Sequence, residues 1–221
     1  MRALRDLSIL GGVLVLSGCA GPLSTLEPAG PIAAQIAWLW WAMLAGAALI
    51  TLFVLGLLAL GFGAPRNVTP TTWTHGLGLW FSLAILTTLL AGGLWVGERI
   101  LPRDDDAIEV RAEAFQWGWR FVHSGPDGAE VTSDGVLHIP AGVPVDVLIT
   151  SADVIHSFWV PQMAGKVDAI PGRVNRARIL ADRAGRYDGL CAEFCGVGHA
   201  GMRFVVVAHA DWPPTLDEDA P

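Results

Sequence analysis

Twelve residues near the C-terminus, "CAEFCGVGHAGM" from Cys191 to Met202, carry two thiols, an imidazole, a thioether and a carboxylate. Cys191, Cys195, His199 and Met202 are separated by three, three and two residues, a spacing that a tight loop at a strand end can fold into one small volume. A further imidazole, His156 in "SADVIHSFWVP", opens a strand-like run upstream. Thiolate, imidazole and thioether together favour copper over hard ions such as magnesium or calcium. A mononuclear blue-copper site takes a single cysteine, so two are one too many. Two thiolates can instead bridge two coppers, each completed by one histidine and one weaker ligand, Met202 or a main-chain carbonyl. A pair of that kind keeps no open position and suits electron relay better than bond chemistry. Two other readings stay open on these residues alone. One is a Cys191–Cys195 disulfide in an oxidising compartment, although so short a loop gains little from closure. The other is structural zinc on two cysteines and two histidines, which leaves Met202 without a task.

The elements that would hold such a site divide the chain in two. Its 221 residues are 52% hydrophobic and 16% charged, with mean hydropathy +0.48, too apolar for an ordinary soluble domain. No Asp, Glu, Lys or Arg occurs from Pro28 to Pro65 or from Asn67 to Gly97. Each stretch is long enough to cross a bilayer, with helices expected over about 36–62 and 73–96. Trp38, Trp40, Trp41, Trp73 and Trp95 stand where indoles favour the membrane interface. Ahead of them, Arg2 and Arg5, an apolar run and "LSGC" have the layout of a secretory signal over 1–18 that ends at Cys19, a lipidation site in bacterial lipoproteins. An N-terminus outside the cytoplasm and two spans then place the C-terminal region outside as well. From Glu98 onward there are 19 acidic and 11 basic residues, a net charge of −8. That balance disfavours nucleic acid and suits a basic protein partner. Short β-like runs between Gly, Pro and Asp turns over 98–210 predict a small antiparallel sandwich or barrel, followed by an acidic, Pro-rich tail over 211–221.

Three segments together resemble one family. "CAEFCGVGHAGM" is similar to the C-x-E-x-C-G-x-x-H-x-x-M copper loop of cytochrome c oxidase subunit II. "SADVIHSFWVPQMAGKVDAIPGRVN" resembles that family's segment bearing the first histidine, and "FQWGWRF" its aromatic Gln-Trp-Tyr-Trp segment. The two-span hairpin fits too. The resemblance implies a cupredoxin-like domain with a dinuclear CuA centre. Its bridging thiolates would be Cys191 and Cys195, its imidazole ligands His156 and His199, and Met202 its thioether ligand. Glu193 would bind copper through its carbonyl and turn its carboxylate to a Mg²⁺ shared with subunit I. Trp117 would be the entry point for electrons. The implied partners are oxidase subunits I and III and cytochrome c, at a bacterial inner membrane, with oxygen reduction and proton pumping in subunit I.

Two departures stand out. Gly118 replaces the usual tyrosine between the tryptophans. Pro70 stands where family members often carry a glutamate before "WT", leaving His75 as the nearby ionisable side chain. His123, His138 and His209 read as ordinary sandwich residues. Asp104, Asp105 and Asp106 read as linker, able to join Glu109, Glu113 and Asp153 in an acidic docking face. The rival functions are the CuA subunit of a nitric oxide reductase and, in another class, a metal-free scaffold lipoprotein. A quinol oxidase subunit of the same fold is disfavoured, since such relatives lose ligands that this sequence keeps.

Overall fold

The computed structural model describes residues 20–63, 69–102, 107–124 and 129–212. The signal region with Cys19, Asp104 to Asp106 and all but the first two residues of the acidic tail lie outside the described residues. The chain forms two compact units, Gln35–Leu101 on one side and Met1–Ala34 with Pro102–Pro221 on the other.

Helix α1 runs Pro31–Gly61, beginning earlier than the apolar pattern alone predicts. Proline suits the first helical position, where its missing N–H would go unpaired anyway. At 31 residues it is about 46 Å long, more than a hydrocarbon core requires. The second span opens as a wide π-helical stretch, Thr72–Phe81, and continues as α2, Ser82–Ile100. It stops at Leu101, which is extended because the following Pro102 disfavours helical backbone before it. Both helices expose leucine, phenylalanine and tryptophan around their surfaces, as lipid-facing helices do. Trp38 meets Trp95 edge to face at 6.1 Å and Phe53 meets Phe81 at 5.4 Å, so the two helices pair as a hairpin. At the start of the second span, the Thr74 hydroxyl donates to the Pro70 carbonyl and lies 3.2 Å from His75 Nδ1.

Among the described residues the other unit is a ten-stranded cupredoxin-like sandwich. Its strands are β1 (Ile108–Phe115), β2 (Gly118–Ser124), β3 (Glu130–Asp134), β4 (Val136–Pro140), β5 (Val145–Ser151), β6 (His156–Trp159), β7 (Val167–Ala169), β8 (Asn175–Ile179), β9 (Gly185–Cys191) and β10 (Arg203–His209). One sheet has the order β3-β2-β1-β5-β8 and the other β4-β10-β9-β6-β7. The sandwich is mixed and not purely antiparallel as the runs alone predict: β1 lies parallel to β5, and β4 parallel to β10. Period-two alternation turns Phe204, Val206 and Ala208 of β10 and Val110, Ala112 and Ala114 of β1 into the interlayer core. Trp119, Phe121, Phe158 and Phe204 form its aromatic centre, with Phe158 and Phe204 stacked at 4.8 Å. Asp146, buried on β5, takes a two-pronged ion pair from Arg178 at 2.7 and 2.9 Å.

Residues 27–33 are strapped onto this sandwich. Ala29 N–H donates to the Gln162 carbonyl, Asp182 N–H to the Ala29 carbonyl, and Ala33 N–H to the Met163 carbonyl. Gly30 lies so close to the Leu180 carbonyl that a Cβ there would stand 2.0 Å from its oxygen.

Candidate metal centre

Strand pairing brings the first two ligand candidates together. β6 and β9 run antiparallel with Phe158 opposite Cys191, which places His156, at the start of β6, beside the end of β9. The chain then loops through residues 192–202, makes one turn of 3₁₀ helix at His199–Gly201 and enters β10 just after Met202. The Cys191 N–H donates to the Met202 carbonyl and closes the loop at its base.

Two matched donor groups result. Cys191 Sγ lies 3.8 Å from His156 Nδ1 and 3.2 Å from the Glu193 carbonyl oxygen. Cys195 Sγ lies 3.7 Å from His199 Nδ1 and 3.8 Å from Met202 Sδ. The sulphurs stand 3.8 Å apart, far beyond the length of an S–S bond, and both cysteines are free. The disulfide reading is therefore corrected. Each sulphur has one imidazole and one weaker donor, which is the set that two thiolate-bridged metals require. A single zinc would leave part of it idle. His156, Cys191, Cys195 and Met202 are buried, whereas His199 is half-buried and meets the exposed Phe194 ring edge to face at 5.7 Å. Water is thus excluded from both sulphurs and from His156, and only the His199 side of the group faces outward.

Outer contacts orient these donors. Asp153 Oδ1 accepts from His156 Nε2 at 2.8 Å, which leaves Nδ1 free to face sulphur. Burial would raise the Asp153 carboxyl, but hydrogen bonds from His156, Val154 N–H and Gln116 N–H together hold it below the usual range. Burial, then the neighbouring Cys191, push the Cys195 thiol up to about 11. A metal entering at neutral pH must therefore displace its proton.

Trp117, in the turn between β1 and β2, is 45% exposed and donates from Nε1 to the Cys195 carbonyl at 3.2 Å. It lies flat against the ligand loop: a Cβ on Gly198 would meet its ring at 2.5 Å. Gly118 is explained by its neighbour, because a Cβ there would stand 2.7 Å from the Phe115 ring. The Glu193 carboxylate bonds Lys166 Nζ at 3.2 Å, and Lys166 also bonds Asp168 at 2.9 Å. Those two bonds, Asp168 first, raise the Lys166 ammonium above its ordinary range. The acids offered for a docking face are largely engaged: Glu109 pairs with Arg176, Glu113 stands 4.0 Å from Arg120, and Asp153 serves His156. Asp153 and Gln116 are the contributors that ligand counting passes over; their signals are an acid three residues before a ligand histidine and the Gln of "QWGW".

The family model for the periplasmic domain of cytochrome c oxidase subunit II matches residues 127–209. Cytochrome c oxidase subunit 2 of Arabidopsis thaliana is 30% identical over 192 residues, covering 72% of this chain and 74% of that protein. The alternative cytochrome c oxidase subunit 2 of Bradyrhizobium diazoefficiens is 36% identical over 153 residues, 57% of this chain and 55% of that protein. Among solved structures, the periplasmic domain of subunit II of the cytochrome oxidase of Bradyrhizobium japonicum aligns with TM-score 0.45 and 30% identity, covering 51% of this chain and 88% of that one. Against the Bradyrhizobium protein and its probable counterpart in Rickettsia prowazekii, the chain spans 55% and 66% of the relative's length. With the paired donor groups and the two-helix hairpin already in place, the sequence likeness settles the classification: the chain belongs to the cytochrome c oxidase subunit II family.

Proposed function

We propose that this chain is the electron-entry subunit of a terminal oxidase, taking single electrons from cytochrome c and passing them to haem in subunit I. The observation that carries the reading is the pairing of each buried sulphur with one imidazole and one weak donor. Cys191 and Cys195 would bridge two coppers, completed by His156 with the Glu193 carbonyl and by His199 with Met202. A thiolate-bridged copper pair supplies one-electron transfer with little movement of its ligands. The chain's own residues do the rest. Asp153 holds the His156 proton on Nε2. Trp117 covers the loop and offers its exposed ring as the electron's point of entry. The aromatic centre beneath keeps water from the sulphurs. Oxygen reduction and proton pumping belong to subunit I, with subunit III a further neighbour. The Glu193 carboxylate, held by Lys166, is the group that would turn to a shared Mg²⁺.

In the same reading residues 1–18 are a lipoprotein signal, Cys19 is lipidated, 19–97 anchor the chain, and 98–210 form the copper domain outside a bacterial inner membrane. The purified full-length chain loaded with copper should hold two coppers and give a seven-line mixed-valence EPR spectrum. A four-line spectrum, or one copper or none per chain, would sink the reading.

A further inference from the structure

Cys191 and Cys195 are not held alike. Cys191 ends a strand and is fixed by pairing with β6 and by the bond from its N–H to Met202. Cys195 lies out in the loop, beyond the strand and before the turns that begin at Gly196. What reaches it comes from the opposite sheet. Gln116, in the β1–β2 turn, donates from Nε2 to the Cys195 carbonyl at 2.8 Å. Its main-chain N–H donates to Asp153 Oδ2 at 2.7 Å, and the other oxygen of that carboxylate holds His156. One residue therefore touches the loop that carries Cys195 and, through a carboxylate, the loop that carries His156. The approach depends on Gly196, whose φ of +119° strains any other residue and whose Cβ would stand 3.3 Å from the Gln116 amide nitrogen.

We infer that Gln116 is a positioning residue, a tie between the two ligand-bearing loops that sets where the Cys195 sulphur stands relative to Cys191 and His156. It holds no metal itself. Its side chain fixes the Cys195 peptide, and its main chain fixes Asp153 and through it His156. With the side chain's bond lost, Trp117 Nε1 alone holds the carbonyl, at the longer distance of 3.2 Å. The loop then gains freedom on one side of the sulphur pair and not on the other. The inference rests on the copper reading above.

The test uses the full-length chain in detergent with Gln116→Met, which keeps length and bulk but removes the donor, and Asp153→Asn, which keeps an oxygen for His156 but sets an amide against the Gln116 N–H. In copper-free protein, alkylation at Cys195, read by peptide mapping, should quicken about three- to tenfold in Gln116→Met, the range expected for one net hydrogen bond. Cys191 should not change. In copper-loaded protein both variants should keep two coppers, with melting temperatures lowered by no more than the loss of those hydrogen bonds accounts for. They should nevertheless show altered copper hyperfine splittings and a shifted reduction potential, which a residue serving only the fold would not move. Unchanged alkylation of Cys195 together with an unchanged spectrum in Gln116→Met would overturn the inference. If the wild-type chain holds no copper pair, the functional reading fails instead, and the copper-free alkylation alone then decides the role of Gln116.

Discussion

Histidines gather at both ends of the sandwich, and β10 joins the two groups. It begins just after Met202 and ends at His209, about 20 Å further on. At the thiol end, His156 gives one nitrogen to Asp153 and turns the other to sulphur. At the far end the imidazoles bond main chain and one another. His123 Nε2 accepts the His138 main-chain N–H at 3.1 Å, and His138 Nδ1 meets His209 Nε2 at 2.9 Å. The His138 and His209 centroids are 5.2 Å apart, about as far as that contact permits, so the nitrogens meet head-on in a hydrogen bond and do not converge on a shared ion. The first of these bonds also joins the sheets, since β2 belongs to one and β4 is the edge strand of the other. Burial does not separate the two ends, because His156 and His123 are both buried. What separates them is the partner of the second nitrogen: a carboxylate acceptor leaves a ligand nitrogen free, and another imidazole or a donating peptide N–H makes a structural link.

The sharpest way to break the contrast is Cys195→Ser. Copper content should fall from two to at most one per chain and the mixed-valence spectrum should vanish, while the far end keeps its melting behaviour. Two retained coppers would mean that the bridge lies elsewhere.

Acid should act at the other end. Burial, then the charges of His209 and His123, lower His138 from 6.5 to about 4. Burial also lowers His209, and it lowers His123 against smaller opposing pulls from the main chain of Val131 and His138. The groups facing the cluster are these three imidazoles from β2, β4 and β10, the Val131 main chain of β3 and the Trp212 ring; among the described residues no carboxylate bonds any of them. The folded state thus prefers them neutral, and the unfolded chain takes up protons first as pH falls. Their stabilisation is complete above pH 6.5 and is lost as pH falls toward about 4. Because His138 and His209 are only half-buried, the loss is on the order of 1–2 kcal/mol after solvent screening. Thermal melts of copper-free protein between pH 7 and 4 should show it in wild type and weakly in His138→Gln. Equal acid sensitivity in both would remove the cluster as its source.

The smallest effect concerns independence. Cys195→Ser and His209→Gln, combined, should change stability by the sum of the single changes within about 0.5 kcal/mol, because sites so far apart share no partner. A larger coupling would show that β10 transmits strain from one end to the other.

The thiol end was largely legible in the sequence, because all its donors but His156 sit within twelve residues and the spacing is itself a pattern. The far end was not. His123, His138 and His209 are 15 and 71 residues apart and share no motif. Only the parallel pairing of β4 with β10, and β2 facing them, brings them together. The same cause hid the mixed topology: alternation reports which face a residue takes, never the direction of the neighbouring strand. The run "AIEVRAEAFQWGWRFV" reads as one β-like run, yet it is two strands folded at Gln116-Trp117, without glycine or proline in the turn itself. Asp153 reads as a surface acid because its partner is a side chain three residues on, and charge counting does not register such pairs.

The strap of residues 27–33 bears on how this protein can be dissected. A soluble version begun at Pro102, the natural cut for removing both helices, would discard a strip of main chain that completes the sandwich. The carbonyls of Gln162 and Met163 and the N–H of Asp182 would lose their partners, and Ile32 would no longer cover the core. The first two of those groups sit on the turn that leads from the His156 strand toward Lys166. Fragments made that way carry a raw edge at Gln162, Met163 and Asp182, and a short tether restoring residues 26–34 is the simplest repair.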